Sequence, residues 1–161
     1  MMRPLVPCLW FDKEAEEAAL FYAGIFPDSH VDQVSRGPSD WPGHKEGEAI
    51  TVVFTLLGQP YLGLNGGPGV PFTNAVSFTV PCRDQAEVDR YWDALLAGGG
   101  SEVQCGWLKD RYGLSWQIVP DILPQALADP DRAAAKRAFE AMFPMVRIDV
   151  AAIERAYRGE G

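Results

Sequence analysis

The stretch Leu64–Val80, LNGGPGVPFTNAVSFTV, decides how the chain is divided. Its first half, with Gly66-Gly67 and then Pro68-Gly69, continues neither a strand nor a helix comfortably. Glycine supplies positive φ, and proline lacks the donor a sheet needs. Beyond the turn, Asn74, Val76, Phe78 and Val80 alternate with Ala75, Ser77 and Thr79, the period of a strand with one buried face. The stretch therefore reads as the end of one half of the protein and the start of a second, similar half.

Working outward toward the N-terminus, Leu5–Phe11 is apolar enough for a strand. Asp12 then stands where a helix N-cap belongs, with Glu14, Glu16 and Glu17 favoring the positive end of the helix dipole. Ala15, Ala18, Tyr22 and Ile25 recur at spacings of three and four, and Pro27 ends the helix. Ser29–Arg36 is expected to be a strand and the Gly- and Pro-rich segment 37–47 a loop. Ala49–Leu57 and Tyr61–Asn65 then form a hairpin around Gly58-Gln59-Pro60.

The same order follows the seam. After the strand Ala75–Val80 comes Asp84 and a helix with Val88, Tyr91, Trp92, Leu95 and Leu96 on one stripe, closed by Gly98-Gly99-Gly100. A hairpin follows from Val103–Lys109 through a turn at Asp110–Gly113 to Leu114–Val119. Moving 70 positions, from 17 to 87, lays Glu17-Ala18, Phe21-Tyr22 and Ile25-Phe26 over Glu87-Val88, Tyr91-Trp92 and Leu95-Leu96. Strand, helix and about three strands, twice over, make an α+β chain rather than a doubly wound parallel sheet. The division is a single domain of modules 3–66 and 74–120, with a helical extension at 121–161. In that extension Asp129-Pro130 opens a helix to about Met142. Met145–Ile148 is a short strand, and Asp149 caps a last helix carrying Val150, Ile153 and Tyr157.

Composition removes several partner classes. The 161 residues carry a net charge of −8, the wrong sign for phosphate backbones or an anionic membrane surface. No apolar run nears the roughly 20 residues that span a bilayer. The start, Met1 to Pro7, has one positive charge and no long apolar core, unlike a secretory leader. Three cysteines, Cys8, Cys82 and Cys105, form no C-x-x-C pair and an odd set, which suits thiols in a reducing cytoplasm. The two histidines, His30 and His44, fall beside a helix end and in a loop, where both are expected to be solvated.

The repeated βαβββ pattern resembles the vicinal oxygen chelate superfamily of glyoxalases, bleomycin-resistance proteins and dioxygenases. The strings CLWFDKEAEEAALFYAGIFPDS (8–29), LNGGPGVPFTNAVSFTV (64–80), GWLKDRYGLSWQIVP (106–120) and AMFPMVRIDVAAIERAY (141–157) are similar to its PhnB-like branch, labeled 3-demethylubiquinone-9 3-methyltransferase. The resemblance spans the chain except the 37–47 loop. It implies curved mixed sheets, a homodimer, and a cavity inside each half-barrel. The metal-using relatives place His or Glu at strand ends that correspond here to Pro7, Asn65, Asn74 and Gln117. None of these four is a ligand that Zn, Fe or Ni prefers, so no metal and no cofactor are expected. A nucleoside cofactor such as S-adenosylmethionine fares no better, because the Gly63–Gly69 turn leads into a strand rather than a helix N-terminus.

The chemistry that remains is polar and aromatic. Trp10, Tyr61, Asn65, Asn74, Ser77, Trp107, Trp116 and Gln117 lie on or beside the strands that would line the cavities. Either the amides fix neighboring turns, or they offer donors and acceptors to a planar organic ligand between tryptophans. Lys109-Asp110-Arg111 reads as a solvated hairpin tip. Two functions stand side by side. One is a metal-free small-molecule binding protein, homodimeric and cytoplasmic. The other is an enzyme, either the methyltransferase of the family label or a glyoxalase-type lyase or isomerase.

Overall fold

The structure is a computed structural model and describes residues 3–160. Met1, Met2 and Gly161, which belong to the leader reading and to the last position of the extension, lie outside the described residues. Contacts divide the chain into two compact units that meet in sequence at Pro71 and Phe72.

The first unit runs β1 (Cys8–Phe11), α1 (Ala15–Ile25), β2 (His30–Arg36), β3 (Ala49–Leu56) and β4 (Gln59–Asn65). Its sheet has the order β1-β4-β3-β2, with β1 parallel to β4 and the other pairs antiparallel. Of the expected apolar stripe of α1, Ala15, Ala18 and Tyr22 are fully covered and Ile25 is half-buried, while Ala19 joins the covered face. Tyr22 packs toward Phe54 of β3, and a Cβ at Gly63 of β4 would lie 3.2 Å from the Ala15 Cβ. Gly63 thus lets the helix come close to the sheet. The expected cap at Asp12 falls two residues short. Glu14 is the N-cap and makes no side-chain cap bond. The leading N–H of the helix, that of Ala15, instead donates to Asn65 Oδ1 from the sheet at 2.9 Å.

The second unit repeats the order with β5 (Ser77–Cys82), α2 (Gln85–Leu96), β6 (Ser101–Glu102), β7 (Trp107–Lys109) and β8 (Ser115–Pro120), in a sheet of order β5-β8-β7-β6. Pro81 is tolerated because β5 is an edge strand. Asp84 caps α2 by accepting from the Glu87 N–H at 2.9 Å. Val88, Tyr91, Trp92 and Leu95 are buried, and each aliphatic member stabilizes the fold by about 1.5–3 kcal/mol.

The extension belongs to this second unit and holds three helices, α3 (Ile122–Leu127), α4 (Arg132–Met142) and α5 (Val150–Arg158). The first of them was not foreseen. α4 begins two residues later than expected, on Asp131, whose carboxylate accepts from the N–H groups of Ala133 and Ala134. Asp129 is engaged elsewhere, with the Asp131 N–H and the Tyr157 hydroxyl. Met145–Ile148 is not a strand. It receives two backbone bonds, from the N–H groups of Cys105 and Gly106, and those two residues have positive φ of 59° and 80°, which no extended ladder continues. The helices close over a small core of Leu123, Ala126, Ala138, Ile148 and Ile153. Two contacts fasten them to α2. Arg147 bridges Asp89 and Asp93, and Gln85 bonds the backbone at Ile148 and Val150. Among the described residues, no helix is long and apolar enough to cross a membrane.

Candidate functional site

Each sheet has one side covered by its helix and one side turned away from it. Strand period assigns every side chain to one or the other. In the first sheet, Tyr61, Gly63 and Asn65 share the helix-facing side of β4. Tyr61 stacks on Phe54 at 5.5 Å between ring centroids, and burial pushes its phenol up. Asn65 is buried, with Oδ1 on the Ala15 N–H and Nδ2 donating to the Ala49 carbonyl at 2.9 Å. Both ends of that amide are therefore spent on backbone, where an unpaired group would cost roughly 1–3 kcal/mol. Trp10 is on the open side. Its ring covers Gly66, where a Cβ would come within 2.3 Å, and its Nε1–H donates to the Gly67 carbonyl at 2.9 Å. The glycine-rich seam is thus held by a tryptophan plate.

The second sheet distributes its residues differently. Trp116 is helix-facing and buried, edge-on to Phe78, and its indole N–H donates to Asp110 Oδ2 at 2.9 Å. Ser77, Trp107 and Gln117 share the open side. β8 sits between its neighbors so that Gln117 is opposite both Thr79 and Trp107, while Ser115 is opposite both Ser77 and Lys109. Asn74 lies in the turn before β5, at the edge of the same side. Two bonds knit the group. Gln117 Nε2 donates to Ser77 Oγ at 2.9 Å, and Ser115 Oγ donates to Asn74 Oδ1 at 3.1 Å. The structure therefore gathers Asn74, Ser77, Trp107 and Gln117 on one surface of the second unit, with Trp10 on the open side of the first.

Sequence reasoning missed Lys109, and the buried Ser115 opposite it, as members of that row. Alternation with Gln117 and Trp107 is the signal that finds them. It also misplaced two residues. Asp110 is not a solvated tip; it is 3% exposed and accepts from the N–H groups of Tyr112 and Leu114 as well as from Trp116. An Asp-x-x-Gly turn is the available hint, since Asp folds back onto the backbone ahead of it. His44 is not solvated either. It is 8% exposed, stacked on Trp41 at 4.7 Å with Nδ1 facing Glu48, and Trp41 in turn lies on Gly37. His30 is exposed, as expected, beside Asp32.

The donor set does not suit a metal. Of the positions matching the metal-using pattern, Asn65 is turned to the helix and saturated, and Asn74 and Gln117 offer neutral amides that bond within their own row. Among the described residues, no three His, Cys, Asp or Glu side chains stand close enough together to hold a metal ion. The glycine-rich seam is also unsuited to a nucleoside cofactor, because Trp10 already occupies the face of Gly66. Nor do the thiols suggest a nucleophile. Burial, reinforced by Glu87, Asp121 and Asp84, pushes Cys82 up to about 12, and burial alone raises Cys8.

Residues 3–119 match the model of the family described as 3-demethylubiquinone-9 3-methyltransferase. A PhnB protein from Bacillus cereus, described under the same activity label, is similar at 33% identity. The match has a TM-score of 0.66 and covers 73% of this chain and 99% of that one. The protein PA1353 from Pseudomonas aeruginosa shares the fold at a TM-score of 0.59 and 20% identity, over 74% of this chain and 98% of that one. Among proteins with curated descriptions, none matches significantly. The family match stops inside β8, so the three-helix extension lies beyond it. The chain belongs to the 3-demethylubiquinone-9 3-methyltransferase family, the PhnB-like branch of the vicinal oxygen chelate superfamily.

Proposed function

We propose that this chain is a metal-free small-molecule binding protein, and that it works as a cytoplasmic homodimer. The observation that carries the reading is the open side of the second sheet. There, hydroxyls and amides bond to one another beside a half-exposed tryptophan and Lys109, and no carboxylate, imidazole or thiol shares their side of the strands. Such a surface can recognize a planar compound by stacking and a few directed hydrogen bonds. It lacks the ligating residues through which an enzyme of this superfamily would polarize a substrate oxygen.

The test uses untagged full-length protein. Mass spectrometry of the denatured preparation should reveal a co-purifying aromatic compound, and light scattering should give about twice the 17.7 kDa chain mass. Near-stoichiometric Ni, Fe, Zn or Mn in elemental analysis would overturn the metal-free reading. Tight, saturable S-adenosylmethionine binding by calorimetry would restore the methyltransferase of the family label. A mass that stays at one chain at every concentration would remove the dimer.

A further inference from the structure

We infer that the ligand of this surface is an aromatic monocarboxylate, with its ring on Trp107 and its carboxylate on Lys109. The inference rests on the binding reading above and narrows it to a chemical class. Trp107 and Lys109 flank Leu108, which is fully buried on the helix side, so both belong to the open side. Lys109 lies directly opposite Ser115, and Trp107 opposite Gln117. In an antiparallel pair that places facing Cβ atoms about 4.5–5.5 Å apart. Trp107 and Lys109 themselves stand two residues apart on β7, about 6.6 Å along the strand, the reach of a single benzoate-sized molecule.

The charge is the telling feature. In a chain of net charge −8, carboxylates are abundant, and Arg36, Lys45, Arg83 and Arg147 each have one. Among the described residues, the half-buried Lys109 ammonium has none. Its sequence neighbor Asp110 is turned to the other side, with both oxygens engaged by Tyr112, Leu114 and Trp116.

The hydrogen bonds of the row point the same way. The Gln117–Ser77 and Ser115–Asn74 bonds each consume one donor. Among the neutral groups, donors and acceptors are then left over alike, the Gln117 and Asn74 carbonyl oxygens and the Ser115 hydroxyl oxygen among the acceptors. Reversing either amide keeps that balance, so the ammonium, which accepts nothing, is the one excess of donor in the row. It is complemented by an acceptor group that carries negative charge. One ammonium among neutral donors balances one negative charge, which fits a carboxylate rather than a phosphate dianion.

The experiment compares 4-(trifluoromethyl)benzoate with its uncharged counterpart, 4-(trifluoromethyl)benzamide, by fluorine NMR titration of the full chain. The wild-type protein should prefer the benzoate by on the order of tenfold. Lys109→Gln should erase that preference, and Lys109→Arg should keep it. The Trp107 indole signal should move on titration while the buried Trp92 and Trp116 signals stay in place, which also shows each variant is folded. Equal binding of the two probes by wild type would overturn the carboxylate and leave the binding reading standing. A preference that survives in Lys109→Gln would overturn Lys109 as the anchor. No movement of Trp107 with either probe at millimolar concentration would bring down both.

Discussion

The two sheets share one strand order and one helix position, yet they use their polar residues in opposite ways. In the first, the buried amide belongs to the fold. Asn65 ties β4 to the start of α1 and to β3, and the open side sets the apolar Trp10, Leu62, Leu64 and Val53 beside Thr51, Gln33 and Ser35 of β3 and β2. In the second, α2 is capped from within its own sequence by Asp84, so the sheet is relieved of that task. Its open side carries Ser77, Ser115, Gln117 and Lys109 instead. The hairpins differ in the same sense. β3 and β4 are joined by Leu57-Gly58, both at positive φ, a two-residue turn that the backbone settles by itself. β7 and β8 are joined through Asp110, whose buried carboxylate gathers three donors. A duplicated scaffold has thus placed its structural polar groups on different strands, and in the second sheet the strand beside the edge, β8, is left to carry Ser115 and Gln117 on its open side.

If Asp110 is what sets the second hairpin, its loss should be the most damaging single change. Asp110→Ala leaves two backbone N–H groups and the Trp116 indole without their acceptor, and should cost about 3 kcal/mol. The denaturation midpoint in urea, followed through the Trp116 environment, reports it. A loss below about 0.5 kcal/mol would mean that the turn holds itself, as Leu57-Gly58 does in the first hairpin. Asn65→Ala should cost somewhat less, about 2 kcal/mol, by freeing the Ala15 N–H and the Ala49 carbonyl. Faster hydrogen exchange at the Ala15 amide, with α2 amides unchanged, is the accompanying signature. Unchanged exchange there would deny Asn65 the capping role that separates the two sheets.

How much of this was readable beforehand depends on what kind of signal each residue sends. The seam, the hairpins and every helix but α3 are announced by glycine, proline and apolar period, which act locally, so most of the architecture was legible. The sides of the sheets were legible in principle too. Tyr61 and Asn65 share the parity of Gly63, and Trp116 that of Ile118, which places all three against helices. Grouping them with Ser77 and Gln117 followed strand membership and ignored parity, and a one-residue step in a strand exchanges its faces. Asp110 and His44 were opaque for another reason. Their burial depends on tryptophans, Trp116 and Trp41, whose positions only the folded chain fixes. The start of α4 was lost to competition, since Asp129 is a good cap that the Tyr157 hydroxyl and the Asp131 N–H occupy first.

That competing contact gives the mildest test, and it concerns the one part that has no counterpart in the first unit. Asp129 is held below its ordinary value of 3.8, first by the Tyr157 hydroxyl and then by the Asp131 N–H. Tyr157 is held above 10.0, chiefly by the same hydrogen bond, with burial and the nearby carboxylates adding to it. A depressed carboxyl contributes stability that is present above pH 3.8 and lost as pH falls through the lower folded value. A raised phenol contributes stability that is full below pH 10.0 and lost as pH rises through the higher folded value. The α3–α5 extension should therefore loosen at both extremes while its attachment through Arg147 to Asp89 and Asp93 persists at the alkaline one. Methyl NMR of Ile148 and Ile153 resolves the two steps. Tyr157→Phe should remove the alkaline step and weaken the acid one, leaving the Asp131 N–H and the Arg132 charge to hold Asp129 down. An alkaline step of full size in Tyr157→Phe would assign it to other groups and leave the extension held by Arg147, Gln85 and its small apolar core.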